Sequence, residues 1–297
     1  MILSDNARGV GFMCIAMAAF TGNDALMKAV TETVPLMQAI LIRGALSAAM
    51  LLALASVVGG IHLALPKADR GKLGLRTLAE LAATLTFLTA LMHMPLANLS
   101  AILQALPLAV TLAAALVFAE PVGWRRMSAI AVGFVGVLMI VRPGTAGFDV
   151  WSVVGVVSML CVVVRDLATR RLSVGLPSVT VAFYTAVAVG LMGAAGVALQ
   201  MVQGTGWQPV GQGAMVRLAG SSALLVFGYL FIVKAMRAGD VAMVAPFRYT
   251  SLLWAILLGW LVFGTLPDAL TWAGAALIVA SGLFTFWREA RLRRSHA

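Results

Sequence analysis

Residues 97–118 read ANLSAILQALPLAVTLAAALVF and contain no charged side chain. A helix of this length extends roughly 33 Å at 1.5 Å per residue, which is enough to cross the ~30 Å hydrocarbon layer of a bilayer. Comparable apolar runs recur along the whole chain, in which 62% of the 297 residues are hydrophobic and 11% are charged. Because no water-soluble fold buries that much apolar surface, the composition predicts an integral membrane protein.

Apolar runs bounded by charged residues, proline or glycine are predicted to be membrane-spanning helices. They cover residues 9–29, 35–58, 75–94, 97–118, 126–142, 150–170, 177–201, 215–236, 241–263 and 269–287. The predicted fold class is therefore an all-α, polytopic membrane protein with ten transmembrane helices.

The lysines and arginines between these runs predict the orientation. With the N-terminus in the cytoplasm, fifteen of them fall in cytoplasmic segments, and the outside segments hold Lys28, Arg142 and Arg217. This bias favours cytoplasmic placement of both termini, and we expect a bacterial inner membrane. The net charge of +10 also raises the alternative of nucleic-acid binding. The basic residues form short clusters between apolar runs and not one surface, so no nucleic-acid partner is predicted.

Several landmarks recur at one offset of 142 residues, which indicates an internal duplication. The matching pairs are Asp24 and Asp166, Pro35 and Pro177, Asn98 and Asp240, and Lys28 and Arg170. We predict a first repeat over 1–146, with helices one to five, and a second over 147–297, with helices six to ten. Five helices is an odd number, so the second repeat enters the membrane from the opposite side. Inverted-repeat transporters bind substrate near the midplane between their repeats and work by alternating access.

Charged side chains within the predicted spans are candidate binding groups, because a charge at the bilayer centre costs at least about 2.5–3.5 kcal/mol and needs a partner or water. Arg43 and Arg248 lie seven to eight residues inside their predicted helices, too deep to reach the surface easily. In the functional interpretation, Arg248 lines a water-filled cavity and binds an anionic or hydrogen-bonding substrate group. In the structural one, it clamps a carboxylate or carbonyl of a neighbouring helix.

Residues 245–249, APFRY, combine a helix-distorting proline, a cation and two aromatic rings, a mixture that suits a planar ligand at a broken helix. The hydroxyl of Tyr249 needs a partner, whereas Phe247 and Trp254 are also typical packing residues. Gln104 occupies the matching stretch of the first repeat and either forms the opposite wall or accompanies a bend. The predicted substrate-binding residues are Arg248, Tyr249, Gln104, Arg43, Phe247 and Trp254.

Two polar clusters occupy corresponding positions in the repeats. Asn23, Asp24 and Lys28 lie near the outer end of the first helix, and Arg165, Asp166 and Arg170 near the inner end of the sixth. Each aspartate has a cation four residues further on, which is the spacing of a helical ion pair. The clusters are structural latches or, in the functional interpretation, one aspartate accepts a coupling proton or the clusters act as gates. The predicted gating or coupling residues are Asp24, Asn23, Lys28 and Asp166.

The chain resembles the EamA family of the drug/metabolite transporter superfamily over nearly its whole length. The resemblance is carried by Leu116-Val117-Phe118-Ala119-Glu120-Pro121, Gly133-Phe134-Val135-Gly136-Val137, Val262-Phe263-Gly264 and Pro267-Asp268. Thr265 stands where the family often has glutamate, which favours a structural role for Glu120. The stretches 23–28, NDALMK, and 245–249, APFRY, are similar to the branch that takes up S-adenosylmethionine or riboflavin.

These observations favour a secondary transporter, with uptake of a heteroaromatic cofactor such as riboflavin or S-adenosylmethionine as the leading hypothesis. Export of amino acids or drugs by the same fold is the alternative. A membrane enzyme needs a converging nucleophile, base or metal site, and the sequence shows no HExxH, P-loop, GxGxxG or GxSxG pattern. A scaffold protein would have a dry interior. We predict no enzyme activity and no cofactor or metal. The expected partners are a small-molecule substrate and the lipid bilayer, with the chain as a monomer or homodimer.

Overall fold

The computed structural model describes residues 5–58, 67–119, 122–145, 147–172, 178–238 and 241–295. Pro177, Asp240, Glu120 and Pro121, which carry parts of the predictions above, lie outside these ranges. The regular secondary structure of the described residues is entirely helical. In chain order the helices are α1 Asp5–Thr31, α2 Leu36–Val58, α3 Lys67–His93, α4 Leu96–Leu103, α5 Leu106–Phe118, α6 Trp124–Val141, α7 Val150–Arg170, α8 Ser178–Val202, α9 Gln212–Ala238, α10 Val241–Val244, α11 Thr250–Phe263 and α12 Ala269–Ser295.

The described helices form ten spans that are long and apolar enough to cross a membrane, as predicted. The fourth and ninth spans are broken. In the fourth, α4 and α5 meet at Gln104 and Ala105, and in the ninth a 3₁₀ turn over Ala245–Tyr249 separates α10 from α11. Each break lies beside a proline, Pro107 or Pro246, which has no amide hydrogen for the helical ladder.

The observed ends differ most from the prediction in α3 and α12. The third helix begins at Lys67 and not at residue 75, and the tenth span continues to Ser295 and not to 287. Apolar runs mark only the part of a helix within hydrocarbon, whereas good helix formers such as lysine and arginine extend it into the interface. As a consequence Arg76 lies nine residues inside α3.

The helix contacts show the inverted symmetry directly. The first span, α1, packs against the eighth, α9, and the third, α3, packs against the sixth, α7. Each span has a counterpart five positions away in the other repeat: the first corresponds to the sixth, and the eighth to the third. Exchanging the counterparts converts the first contact into the second. The contacts of α2 with α8 and of α6 with α12 each join a span to its own counterpart, so the exchange leaves them unchanged. The chain is thus two inverted five-helix repeats whose largest interhelical contacts all join one repeat to the other.

Pairs of glycines allow close approach of the helices at the contacts of α2 with α8 and of α6 with α12. A Cβ atom on Gly44 would lie 2.6 Å from the Cα atom of Gly190, and a Cβ atom on Gly136 would lie 2.6 Å from the carbonyl oxygen of Gly274. Within lipid, helices associate through close packing and not through a hydrophobic driving force, so backbones in contact stabilise the pair. These glycines hold the repeats together along the symmetry axis.

The two faces of the bundle differ in packing. Because the number of spans is even, the chain begins and ends on one face, which we call the terminal face; the other is the opposite face. The main hydrophobic core lies mostly in the opposite-face half, around Met27, Val30, Leu91, Met94 and Leu96. A much smaller cluster, which includes Met13 and Ala235, lies in the terminal-face half. The bundle is therefore closed towards the opposite face.

An ion pair joins the two repeats in the loops of the opposite face. The guanidinium of Arg142, which follows α6, pairs with the carboxylate of Asp268, which precedes α12. This guanidinium and the backbone amide of Thr271 hold the pKa of Asp268 well below its usual range. The pair links the same two helices as Gly136 and Gly274.

This pair gives a pH prediction for stability. A carboxylate with a lowered folded-state pKa contributes stability that is complete above its unfolded pKa of about 4 and is lost as the pH falls below it. Because the Asp268 side chain is 55% exposed, the contribution is screened and amounts to roughly 1 kcal/mol or less. We expect the melting temperature to fall between pH 5 and pH 3 by more in the wild type than in Asp268→Asn. Equal slopes in thermal melts would contradict this.

Candidate substrate site

A cavity of about 410 Å³ lies between the repeats. It is lined by α1, α2, α3 and the end of α4 of the first repeat, by α7, α8 and α9 of the second, and by Arg248 of the 3₁₀ turn. At its deep end Arg43 lies seven residues inside α2, roughly 10 Å from the opposite face. At its other end Thr169 and Arg248 are exposed, and Thr169 is next to the last residue of α7. The cavity therefore opens towards the terminal face.

The lining of this cavity is strongly charged. Its ionisable side chains are four arginines and three carboxylic acids: Arg43, Arg76, Arg165, Arg248, Asp24, Glu80 and Asp166. Arg165 binds two of the carboxylates, with nitrogen–oxygen distances of 3.1 Å to Glu80 and 2.8 Å to Asp166. Arg76 donates instead to the hydroxyls of Thr169 at 3.1 Å and Thr185 at 2.6 Å.

Four charged groups of the lining have no ion pair among the described residues. Arg76 is one of them and donates to two threonine hydroxyls, and the other three are Arg43, Arg248 and Asp24. Arg43 is 8% exposed and is attracted electrostatically by Asp24 and Glu80, yet no carboxylate oxygen lies within 4.0 Å of its guanidinium. Asp24 accepts a hydrogen bond of 2.8 Å from the side chain of Asn23. These groups are available to a ligand.

The structure brings five of the predicted site residues together at this cavity: Arg43, Arg248, Asn23, Asp24 and Asp166. Neither aspartate pairs with the cation four residues on in the described structure. Asp166 pairs with Arg165, and Lys28 donates to the backbone carbonyl of Leu91. The expected i,i+4 latches are thus not formed, because a neighbouring arginine and neighbouring carbonyl groups lie closer. The predicted binding, gating and coupling roles stay predictions.

Other predicted residues lie outside the cavity lining. Gln104 connects the two broken spans, because its side-chain nitrogen lies 3.2 Å from the carbonyl oxygen of Tyr249 and 2.9 Å from the hydroxyl of Ser251. Tyr249 and Phe247 line a separate apolar groove beside α12. Trp254 packs against the small core cluster of the terminal half. Their substrate-binding roles also stay predictions.

Lys28 closes the end of α3 on the opposite face. Its Nζ atom lies 2.5 Å from the carbonyl oxygen of Leu91 and 2.9 Å from that of Met94. The usual helical donor to Leu91 would be residue 95, which is a proline and has no amide hydrogen. Lys28 also lies 5.6 Å from the centre of the Phe263 ring. One ammonium group thus joins α1, α3 and α11 at the closed face.

Replacing Lys28 by methionine is expected to destabilise this closure. The change leaves buried carbonyl groups without a donor, at a cost of about 1–3 kcal/mol. We expect a lower melting temperature for Lys28→Met in detergent micelles, and a smaller decrease for Lys28→Arg, which keeps a donor. A Lys28→Met protein as stable as the wild type would contradict the assignment.

Arg76 and Tyr229 line the cavity but are not among the residues predicted from the sequence, and the same holds for five smaller polar residues: Ser47, Thr84, Ser158, Thr169 and Thr185. Arg76 was assigned to a cytoplasmic segment, because the helix was predicted to begin at residue 75. Tyr229 lies within an apolar stretch of α9, and its single hydroxyl was the only signal. Glu80 was visible as a charge within a span, but its ion pair with Arg165 requires the contact of α3 with α7, which spacing alone does not reveal.

Comparison with known proteins identifies the family. The sequence profile of the EamA-like transporter family matches the chain twice, over residues 7–142 and 150–287. The chain belongs to the EamA-like transporter family. It is accordingly a multi-pass membrane transporter and not an enzyme, which confirms the family and function class predicted from the sequence.

Several curated EamA-like relatives are transporters. A riboflavin transporter of Rhizobium johnstonii is 33% identical over 68% of this chain and 66% of its own length. A pseudopaline exporter of Pseudomonas aeruginosa is 28% identical over 95% of this chain and 96% of its own. An S-adenosylmethionine uptake transporter of Rickettsia felis is 23% identical over 68% and 67%. The match to a Vibrio cholerae riboflavin transporter spans 64% of that protein's length.

A solved structure shares the fold of this EamA-like chain. The TM-score is 0.67 at 17% sequence identity, and the match covers 95% of this chain and 98% of the other. At this identity the likeness shows the fold alone.

Proposed function

We propose that this EamA-like protein is a secondary transporter of the bacterial inner membrane that moves a small organic metabolite by alternating access. The proposal rests on the cavity between the repeats, which opens towards the terminal face while the opposite half is packed. Inversion of the two repeats exchanges the open and packed halves, and this exchange is the basis of alternating access in inverted-repeat carriers. The charge bias of the loops supports a cytoplasmic terminal face.

The proposed substrate is a heteroaromatic cofactor-type molecule, such as riboflavin or S-adenosylmethionine, taken up into the cell. Three relatives named as riboflavin or S-adenosylmethionine transporters and the stretches 23–28 and 245–249 support this choice. Phe20, Phe87 and Tyr229 contribute aromatic rings to the cavity next to its arginines. Such rings can stack on a flat heterocycle while the guanidinium groups bind its polar substituents.

Export is the second candidate, and one observation favours it. The pseudopaline exporter matches 95% of this chain, whereas the matches to the riboflavin and S-adenosylmethionine transporters cover 65–68%. A carrier open to the terminal face is a step of both import and export cycles, so direction requires a flux measurement.

Flux into proteoliposomes reconstituted with the purified protein tests the proposal. The panel is labelled riboflavin, S-adenosylmethionine, aromatic amino acids and nucleosides, each measured in counterflow and under imposed gradients. We expect saturable flux of at least one cofactor-type molecule above that of empty liposomes. Flux confined to amino acids would overturn the cofactor assignment. Absence of flux for the whole panel would overturn the proposed substrate range.

A further inference from the structure

The deep end of the cavity holds an unpaired cation and an unpaired anion side by side. Arg43 of α2 and Asp24 of α1 both line the cavity and attract each other electrostatically. No nitrogen of Arg43 lies within 4.0 Å of an oxygen of Asp24, so they do not form an ion pair. Two opposite charges therefore face the same space without neutralising each other.

Neighbouring contacts keep the two groups apart. The side-chain amide of Asn23 donates to Asp24 at 2.8 Å, and Asn23 in turn accepts a hydrogen bond of 2.7 Å from Ser221. The backbone of α2 is fixed at Arg43 by a hydrogen bond of 3.3 Å from Ser222 to its carbonyl oxygen. The next residue, Gly44, packs directly on the backbone of α8. Both charges are thus held on rigid elements.

The other carboxylates of the cavity do not form an ion pair with Arg43. Glu80 and Asp166 are both bound by Arg165, at 3.1 Å and 2.8 Å. A charged group that is removed from water and left unpaired costs several kcal/mol, so its retention in a membrane protein indicates a ligand or solvent that neutralises it. The same reasoning applies to Asp24, and one ligand that carries both charges satisfies both groups.

We propose that Arg43 and Asp24 together bind the zwitterionic amino-acid group of the substrate. The guanidinium of Arg43 binds the carboxylate, and the carboxylate of Asp24 binds the ammonium group. The remainder of the substrate extends past Phe87 and Tyr229 towards Arg248 at the open end. This inference rests on the proposed transport function. It selects substrates with an amino-acid group, such as S-adenosylmethionine, over those without one, such as riboflavin.

Ligand-induced thermal stabilisation of the purified protein tests binding separately from flux. The probes are S-adenosylmethionine, methylthioadenosine, which has the same ring system without the amino-acid group, methionine, which has the group without the ring, and riboflavin. We expect S-adenosylmethionine and its neutral thioether analogue S-adenosylhomocysteine each to bind at least tenfold more tightly than methylthioadenosine, which also lacks the sulfonium charge, and methionine to stabilise the protein at high concentration. Equal affinity of S-adenosylhomocysteine and methylthioadenosine, or binding of riboflavin alone, would overturn the inference.

Paired variants locate the binding group. Arg43→Gln and Asp24→Asn should each weaken S-adenosylmethionine binding at least tenfold while leaving methylthioadenosine binding within twofold. The matched controls Arg217→Gln and Asp5→Asn change exposed residues outside the cavity and should bind as the wild type does. If Arg43→Gln does not fold, Arg43→Lys takes its place in the binding test, because it keeps the positive charge but loses the planar guanidinium. Zwitterion-dependent binding without flux would support the site and overturn the transport proposal, whereas riboflavin flux without zwitterion binding would do the reverse.

Discussion

Replacing Arg248 by alanine is expected to abolish substrate flux while leaving folding and membrane insertion largely intact. The Arg248 guanidinium lines the open end of the cavity, is exposed, and has no ion pair among the described residues. Removing a charge that binds a substrate group costs about 2–5 kcal/mol, which corresponds to roughly 30-fold or greater loss of affinity. By contrast, removing an unpaired arginine breaks no ion pair on which the fold depends. The measurement is initial uptake into proteoliposomes at limiting substrate.

Two further variants make this result specific. Arg248→Lys keeps the positive charge but loses the planar fork, so it should retain part of the flux. Arg217→Ala removes an exposed arginine near the beginning of α9, outside the cavity lining, and should transport as the wild type does. Wild-type flux in Arg248→Ala would remove Arg248 from the site. If Arg248→Ala no longer elutes as a single species in size-exclusion chromatography, Arg248 has a structural role instead.

Gly136→Leu is expected to destabilise the protein by forcing α6 and α12 apart. A Cβ atom at residue 136 would lie 2.6 Å from the carbonyl oxygen of Gly274 and 2.8 Å from a side-chain carbon of Ile278. The first of these atoms belongs to the backbone, so relief requires α6 and α12 to separate. Overpacking of a tight contact costs about 1–3 kcal/mol, and occasionally more when the backbone must move.

The matched control for this prediction is Gly11→Leu. Gly11 lies within α1, is exposed on the outside of the bundle, and has no heavy atom within 4 Å of the position of a Cβ atom. We expect Gly136→Leu to lower the melting temperature and the yield of monodisperse protein, and Gly11→Leu to change neither. Similar behaviour of the two variants would show that the contact of α6 with α12 is looser than described.

Much of the fold was predictable because the bilayer imposes a length on every apolar run. The ten spans, the all-α class and the inverted repeats follow from such runs and from the offset between Asp24 and Asp166. The beginning of α3 was not predictable in this way, since its first two turns are polar and resemble a loop. The break at Ala245–Tyr249 follows from Pro246, but the break after Leu103 depends on packing as well as on Pro107.

The candidate site was only partly predictable. Charged residues inside apolar runs, such as Arg43 and Arg248, are visible because lipid does not tolerate them without a reason. Which of them are already neutralised depends on contacts between distant helices. Arg165 binds Glu80, 85 positions earlier in the chain. Similarly, the contacts of Gln104 with Tyr249 and Ser251 join residues about 145 positions apart and could not be predicted from the sequence.

The pairing of α1 with α9 and of α3 with α7 has a consequence for biogenesis. About 180 residues separate the end of α1 at Thr31 from the start of α9 at Gln212. At a translation rate of 5–20 residues per second, the first helix waits roughly 9–36 s for its main partner. Glu80 and Arg165 are 85 residues apart, so Glu80 is synthesised about 4–17 s before the arginine that pairs with it. The nascent first half therefore carries an unpaired acidic group until the ribosome delivers its counterpart.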